Sequence, residues 1–150
     1  MIKEYEYLHG VVFCRLCRVP EVNISISPYN CNGNSSYVLN NKAGLYIKYS
    51  GKRLTPWTFT FTEAHQDEVL EMNRRFGEVF VAFVCNLDGV AVLNFKELKN
   101  ILDDIHDEHE WVGISRTRNK MYSLKASDGK LDFKVSMTSC PGKILAYLGK

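Results

Sequence analysis

Hydrophobic positions change their period several times along this chain, and each change marks an element. Over residues 4–18, Tyr7, Val11, Cys14 and Arg18 recur along one side and Leu8, Val12 and Leu16 along another, which predicts a helix closed by Pro20. Gly10 inside it weakens the helix by about 1 kcal/mol relative to alanine. VNISIS then alternates as a strand, and PYNCNGNS reads as a long turn. SYVLN and GLYIKYS, joined by NKA, predict a hairpin. In WTFTF, Trp57, Phe59 and Phe61 share one face and the threonines the other. Thr62 then caps a helix over TEAHQDEVLEMNRRFG that Gly77 ends.

VFVAFVC is apolar throughout, the mark of a strand buried on both faces. NLDG turns it into VAVLN, and NFKELKNILDDI reads as a short amphipathic helix starting at an Asn cap. EWVGIS and KMYSLKA predict strands around the RTRNK turn, LDFKVSM a further strand, and CPGKILAYLGK a short terminal piece. Together these elements predict a single α/β domain over residues 1–150, a helix followed by a mixed sheet of about four to six strands with helices on its faces. Residues from about 110 to 150 form its strand-rich C-terminal extension.

Length and composition fit that expectation. A chain of 150 residues, 45% apolar and 24% charged, is typical of a globular protein. No apolar run approaches the ~20 residues that span a bilayer. The opening MIKEYEYLHG mixes acids and aromatics too early for a signal peptide, so no membrane partner and a cytoplasmic location are expected. Five cysteines cannot all pair, and Cys14 and Cys17 form a C-x-x-C within a helix, with no second pair at zinc spacing. Reduced, buried structural thiols are the expectation.

The net charge of +2 is small, but its distribution is uneven. Asp103 to Glu110 is acidic, Arg116 to Lys134 is mostly basic, and Lys48, Lys52 and Arg53 form a second basic cluster. Such clusters either track phosphates or lie as solvated faces. On the first reading Lys48, Lys52, Arg53, Arg116, Arg118 and Lys120 form a nucleic-acid contact surface. Alternation places Lys48 with Tyr46 and Ser50; its bland reading is a stem over apolar surface with the ammonium in water. The aromatic face of WTFTF fits a base-stacking platform or a core, and composition favours the core. His106, Asp107, Glu108, His109 and Glu110 present metal-ligating side chains near a helix end. His65 is expected at the surface, and Ser139 and Cys140 carry no signature of an activated nucleophile.

From Glu4 to Leu102 the order is helix, strand, hairpin carrying Lys48, loop, helix, buried strand, strand, helix. This order resembles the core of the restriction-endonuclease-like (PD-(D/E)XK) superfamily. The resemblance implies a mixed α/β core, a nucleic-acid ligand and, in active members, Mg²⁺ or Mn²⁺ held by carboxylates beside a catalytic lysine. The position two before Lys48 is Tyr46, however, and the preceding strand has Ser36 and Asn40 where an acid belongs. What the resemblance implies is therefore a degenerate core that binds nucleic acid or another partner without catalysis and needs no cofactor. An active nuclease would need Lys48 with a displaced acid, Glu6 first, or Glu4, Glu63 or Asp67. A third expectation is a self-associating module, a homodimer formed through exposed sheet edges.

Overall fold

The computed structural model describes residues 1–30, 32–105 and 110–149. Cys31 and the metal-ligating run His106, Asp107, Glu108 and His109 lie outside the described residues. The protein is α/β, as expected. The elements, in chain order, are α1 (Glu4–Cys17), β1 (Ile26–Pro28), β2 (Ser36–Leu39), β3 (Ala43–Ser50), β4 (Trp57–Phe61), α2 (Glu63–Phe76), β5 (Val79–Cys85), β6 (Gly89–Asn94), α3 (Phe95–Lys99), β7 (Glu110–Ser115), β8 (Ser123–Ala126), β9 (Gly129–Lys130) and α4 (Ser139–Leu148). Among the described residues no helix is long and apolar enough to cross a membrane.

Five strands form a mixed sheet in the order β1-β2-β3-β5-β6. Its single parallel pair is β3 with β5, in a register that sets Lys48 beside Phe83. The apolar run of β5 is buried at every position because both faces of this sheet are covered. Val79, Val81 and Phe83 face one core with α2 and β4. Phe80, Ala82 and Val84 face a second core built with α1 and α4. Gly44 permits the close seat of α2, since a Cβ there would lie 2.7 Å from the Met72 methyl.

The expected four-to-six-stranded mixed sheet is present, but the C-terminal strands do not extend it. β4 leaves the first sheet and pairs with β7, giving a second, antiparallel sheet in the order β4-β7-β8-β9. Trp57, Phe59 and Phe61 all point inward, with the Phe59 and Phe83 ring centroids 5.0 Å apart. The aromatic face of WTFTF is therefore core, and burying each phenyl ring contributes about 1.5–3 kcal/mol.

A polar link ties the two sheets at one end. Asp88, in the β5–β6 turn, accepts two bonds from Arg116, at 2.6 Å and 2.9 Å, and one from the Tyr122 hydroxyl at 2.8 Å. At the far edge of the first sheet, the Ser139 hydroxyl accepts from Val92 N–H at 3.0 Å and Lys143 Nζ donates to Val92 C=O at 3.0 Å. Both backbone groups of Val92 on an edge strand are thereby satisfied by α4.

Expectations for two strands and for the thiols are corrected. VNISIS contributes only Ile26 and Ser27 to β1, and LDFKVSM is not a strand, only a lone bridge between Val135 and Tyr122. The short C-terminal piece is helical over Ser139–Leu148, with a kink at Cys140, whose φ of −110° and ψ of 115° are not helical. Cys14 and Cys17 are exposed, because α1 buries the Leu8, Val12 and Leu16 stripe; Cys85 and Cys140 are buried. Burial pushes the Cys140 thiol up to about 11 and raises Cys85 as well, which keeps both protonated and unreactive.

Candidate nucleic-acid interface

Lys48 leaves β3 on the same face as Tyr46, toward α2 and β4, and is half-buried rather than in open water. Its Nζ lies 3.2 Å from His65 Nδ1 and 5.0 Å from the Phe61 ring centroid. Burial lowers its pKa to about 8. His65 is part of the cap of α2. Its Nδ1 accepts from Thr62 N–H at 3.2 Å, its own N–H bonds the Thr62 hydroxyl at 3.2 Å, and the ring bonds the Thr60 backbone. With a lone pair facing both Thr62 N–H and the Lys48 ammonium, the imidazole is neutral; burial first, then Lys48, holds its pKa below the ordinary value.

Glu6 is not brought to Lys48. It lies exposed on α1, which packs against the opposite face of the sheet, and accepts from Lys3 N–H at 3.0 Å. Glu4 is also on α1, beside Gly51. Glu63 and Asp67 are exposed on α2. Among the described residues no carboxylate forms an ion pair with Lys48. A carboxylate group does assemble elsewhere: Asp103, Glu110 and Asp128 each bring an oxygen within 4.8 Å of the others'. Glu110 is buried beside the Ser127 hydroxyl, and burial is the first cause raising the Asp128 carboxyl above its ordinary range.

The two basic segments meet. Arg116 N–H donates to the Thr55 hydroxyl at 3.2 Å, so the 51–56 loop and the 116–121 loop lie side by side at one end of the second sheet. The indole N–H of Trp57 pins the first loop by donating to Lys52 C=O at 2.8 Å. Lys52, Arg53, Arg118 and Lys120 are exposed there. Arg116 is not: its guanidinium is occupied by Asp88 and lies over the Tyr122 ring, 5.9 Å from its centroid. That contact with Arg116 is the first cause holding Asp88 below the usual carboxylate range.

These loops border a groove of about 1200 Å³ on the outer face of the second sheet. Pro56, Thr58, Trp111, Gly113 and Met121 form its largely apolar floor, and Lys120, Lys125 and Lys134 supply charge, the charge of the lining Arg116 being met by Asp88. None of the described residues lining it is acidic. Strand alternation explains the arrangement. Val112, Ile114 and Leu124 turn into the core, so Trp111, Gly113, Ser115, Ser123 and Lys125 face out. Lys134 is held against this face by the Ser123 hydroxyl. Trp111, Lys125 and Lys134 belong to the groove without having been singled out from sequence. The signal was present as Trp-x-Gly in EWVGIS, but it carried no mark of which face was wet. Lys48 does not line this groove.

Comparison with family models, curated proteins and solved structures gives no match to this chain.

Proposed function

We propose that this protein binds nucleic acid through the groove on the outer face of its second sheet and does not cleave it. The observation that carries the proposal is the groove lining, three lysines (Lys120, Lys125 and Lys134) with no carboxylate among the described lining residues, while Arg116 is taken up by Asp88. Phosphate backbones are held by such clusters, and an apolar floor between the cations suits bases better than a bare polyanion. Lys52, Arg53 and Arg118, exposed in the two loops that border it, extend the positive surface. The resemblance of the first hundred residues to a restriction-endonuclease-like core supports the same ligand class. Binding without turnover is supported by the surroundings of Lys48, whose ammonium faces an imidazole and a phenyl ring instead of a carboxylate pair able to hold Mg²⁺. Self-association through the first sheet has less room, since α4 occupies the backbone groups of Val92 on its β6 edge.

The test is anisotropy with labelled DNA and RNA oligonucleotides, with and without Mn²⁺, while cleavage is followed on gels. Binding without cleavage, reduced at least tenfold in a Lys125→Glu, Lys134→Glu double variant, is the expected outcome. Equal affinity for polyglutamate overturns the nucleic-acid reading. Mn²⁺-dependent cleavage lost in Lys48→Ala overturns the non-catalytic one.

A further inference from the structure

Trp111 occupies an unusual position on a solvent-facing sheet surface. It is half-buried, it lines the groove, and its neighbour two residues on is Gly113. A Cβ at Gly113 would stand 3.2 Å from Trp111 Cζ3 and 3.6 Å from Cε3. The missing side chain thus forms a bed on which the benzo ring of the indole rests along the strand. Across the sheet, Gly113 is paired with Thr58 on one side and Lys125 on the other. The indole is therefore flanked by a small side chain toward one edge and a cation toward the other.

We infer that the groove takes single-stranded nucleic acid, with an unpaired base stacked on Trp111 and the adjoining phosphates held by Lys120, Lys125 and Lys134. This rests on the nucleic-acid reading above and adds the strandedness and the residue that recognises it. A duplex keeps its base faces inside its own stack and offers only edges and backbone to a protein. An apolar floor with an indole is wasted on such a ligand, whereas every unpaired base has a π-face to lay on it. The cations border that floor, as a strand with splayed bases and a continuous backbone requires. Stacking on an indole discriminates little between bases, so binding is sequence-tolerant.

The experiment titrates the full chain with oligo-dT and oligo-U of about twelve nucleotides and with a duplex of equal length, following tryptophan emission and probe anisotropy together. Trp57 is buried in the core, and the part of the emission response that is lost in Trp111→Phe reports Trp111. Expected are quenching by both single strands and affinity for them at least tenfold above the duplex. Trp111→Ala should lose about 5- to 100-fold in single-strand affinity, while Trp111→Phe keeps most of it. Gly113→Ala, which keeps the indole but makes it give by a few tenths of an ångström, should lose less affinity than Trp111→Ala, and thermal melts confirm that each variant is folded. If duplex and single strands bind equally and Trp111→Ala matches wild type, the stacking inference fails while the nucleic-acid reading stands. If no oligonucleotide binds, both fail.

Discussion

His9 makes a prediction that can be worked through in numbers. The residue is 1% exposed, on the face of α1 that packs against the first sheet. Its Nδ1 lies 2.8 Å from the Tyr37 hydroxyl, whose own proton goes to Asn34 C=O at 3.0 Å. Nδ1 must therefore carry the hydrogen, leaving Nε2 a buried lone pair with no partner among the described residues. The rings of Tyr5, Tyr37 and Tyr49 close around it. Burial lowers its pKa from 6.5 to about 4. Between those values the unfolded chain binds a proton that the folded chain refuses, so stability falls as pH drops through that window and levels off below it. At ~1.4 kcal/mol per pH unit the full loss is about 3 kcal/mol, of which about 2 kcal/mol has already appeared at pH 5. The assay is urea unfolding of wild type and His9→Leu at a series of pH values from about 7.5 to 4. Carboxylates and His65 titrate in both proteins and cancel in the difference. Stability of wild type relative to the variant should drop by about 2 kcal/mol between about pH 7.5 and 5. A difference that stays flat over that range refutes the buried neutral imidazole.

Two further outcomes follow from other charged groups. Asp88→Asn removes one partner of a pair whose side chains are 17% and 21% exposed. Lying between a surface and a buried ion pair, it should cost about 2 kcal/mol in urea unfolding, and Asp88→Ala no less. A loss under about 0.5 kcal/mol would show that the Asp88–Arg116–Tyr122 link does not hold the sheets together. Lys48, with its pKa lowered to about 8, should show its ¹³Cε resonance titrating near that value. Because the unfolded chain keeps this proton up to about pH 10.4, Lys48 should make stability rise as pH climbs from about 8, a rise absent from Lys48→Met. A midpoint above about 10 would place the ammonium in water instead.

Much of the fold was legible because local chemistry and tertiary demand agree. Thr62 and Gly77 bracket α2 as its helix signals require, with Gly77 at φ 82°. The apolar run of β5 is buried on both faces, and Asn94 caps α3. Where the reading failed, period and packing diverge. In LDFKVSM a strand would put Leu131, Phe133 and Val135 on one face, yet Leu131 and Val135 are buried while Phe133 is 45% exposed, because the chain bends between them. The CPG opening of the last segment does interrupt α4, since Cys140 leaves helical φ/ψ, and the regular helix resumes at Pro141, where a missing N–H costs nothing. Ile144 and Leu148 then follow at helical spacing into the core, which Cys140 enters from the kink. The site divided in the same way. The basic segments at 52–53 and 116–120 were visible as charge, and the two loops do lie together. What no local pattern showed was that Asp88 takes up Arg116, or that β4 would leave the first sheet. That departure turns Val112 and Ile114 inward and leaves Trp111 on the outer face.

The most direct test of the nucleic-acid groove is the salt dependence of oligo-dT binding between about 50 and 200 mM salt. With Lys120, Lys125 and Lys134 each neutralising a phosphate, log K should fall against log salt with a slope of about −2, and Lys125→Ala should make it shallower by about 0.7. Affinity that ignores salt, or a slope unchanged by Lys125→Ala, would contradict the assignment of this groove to a phosphate backbone.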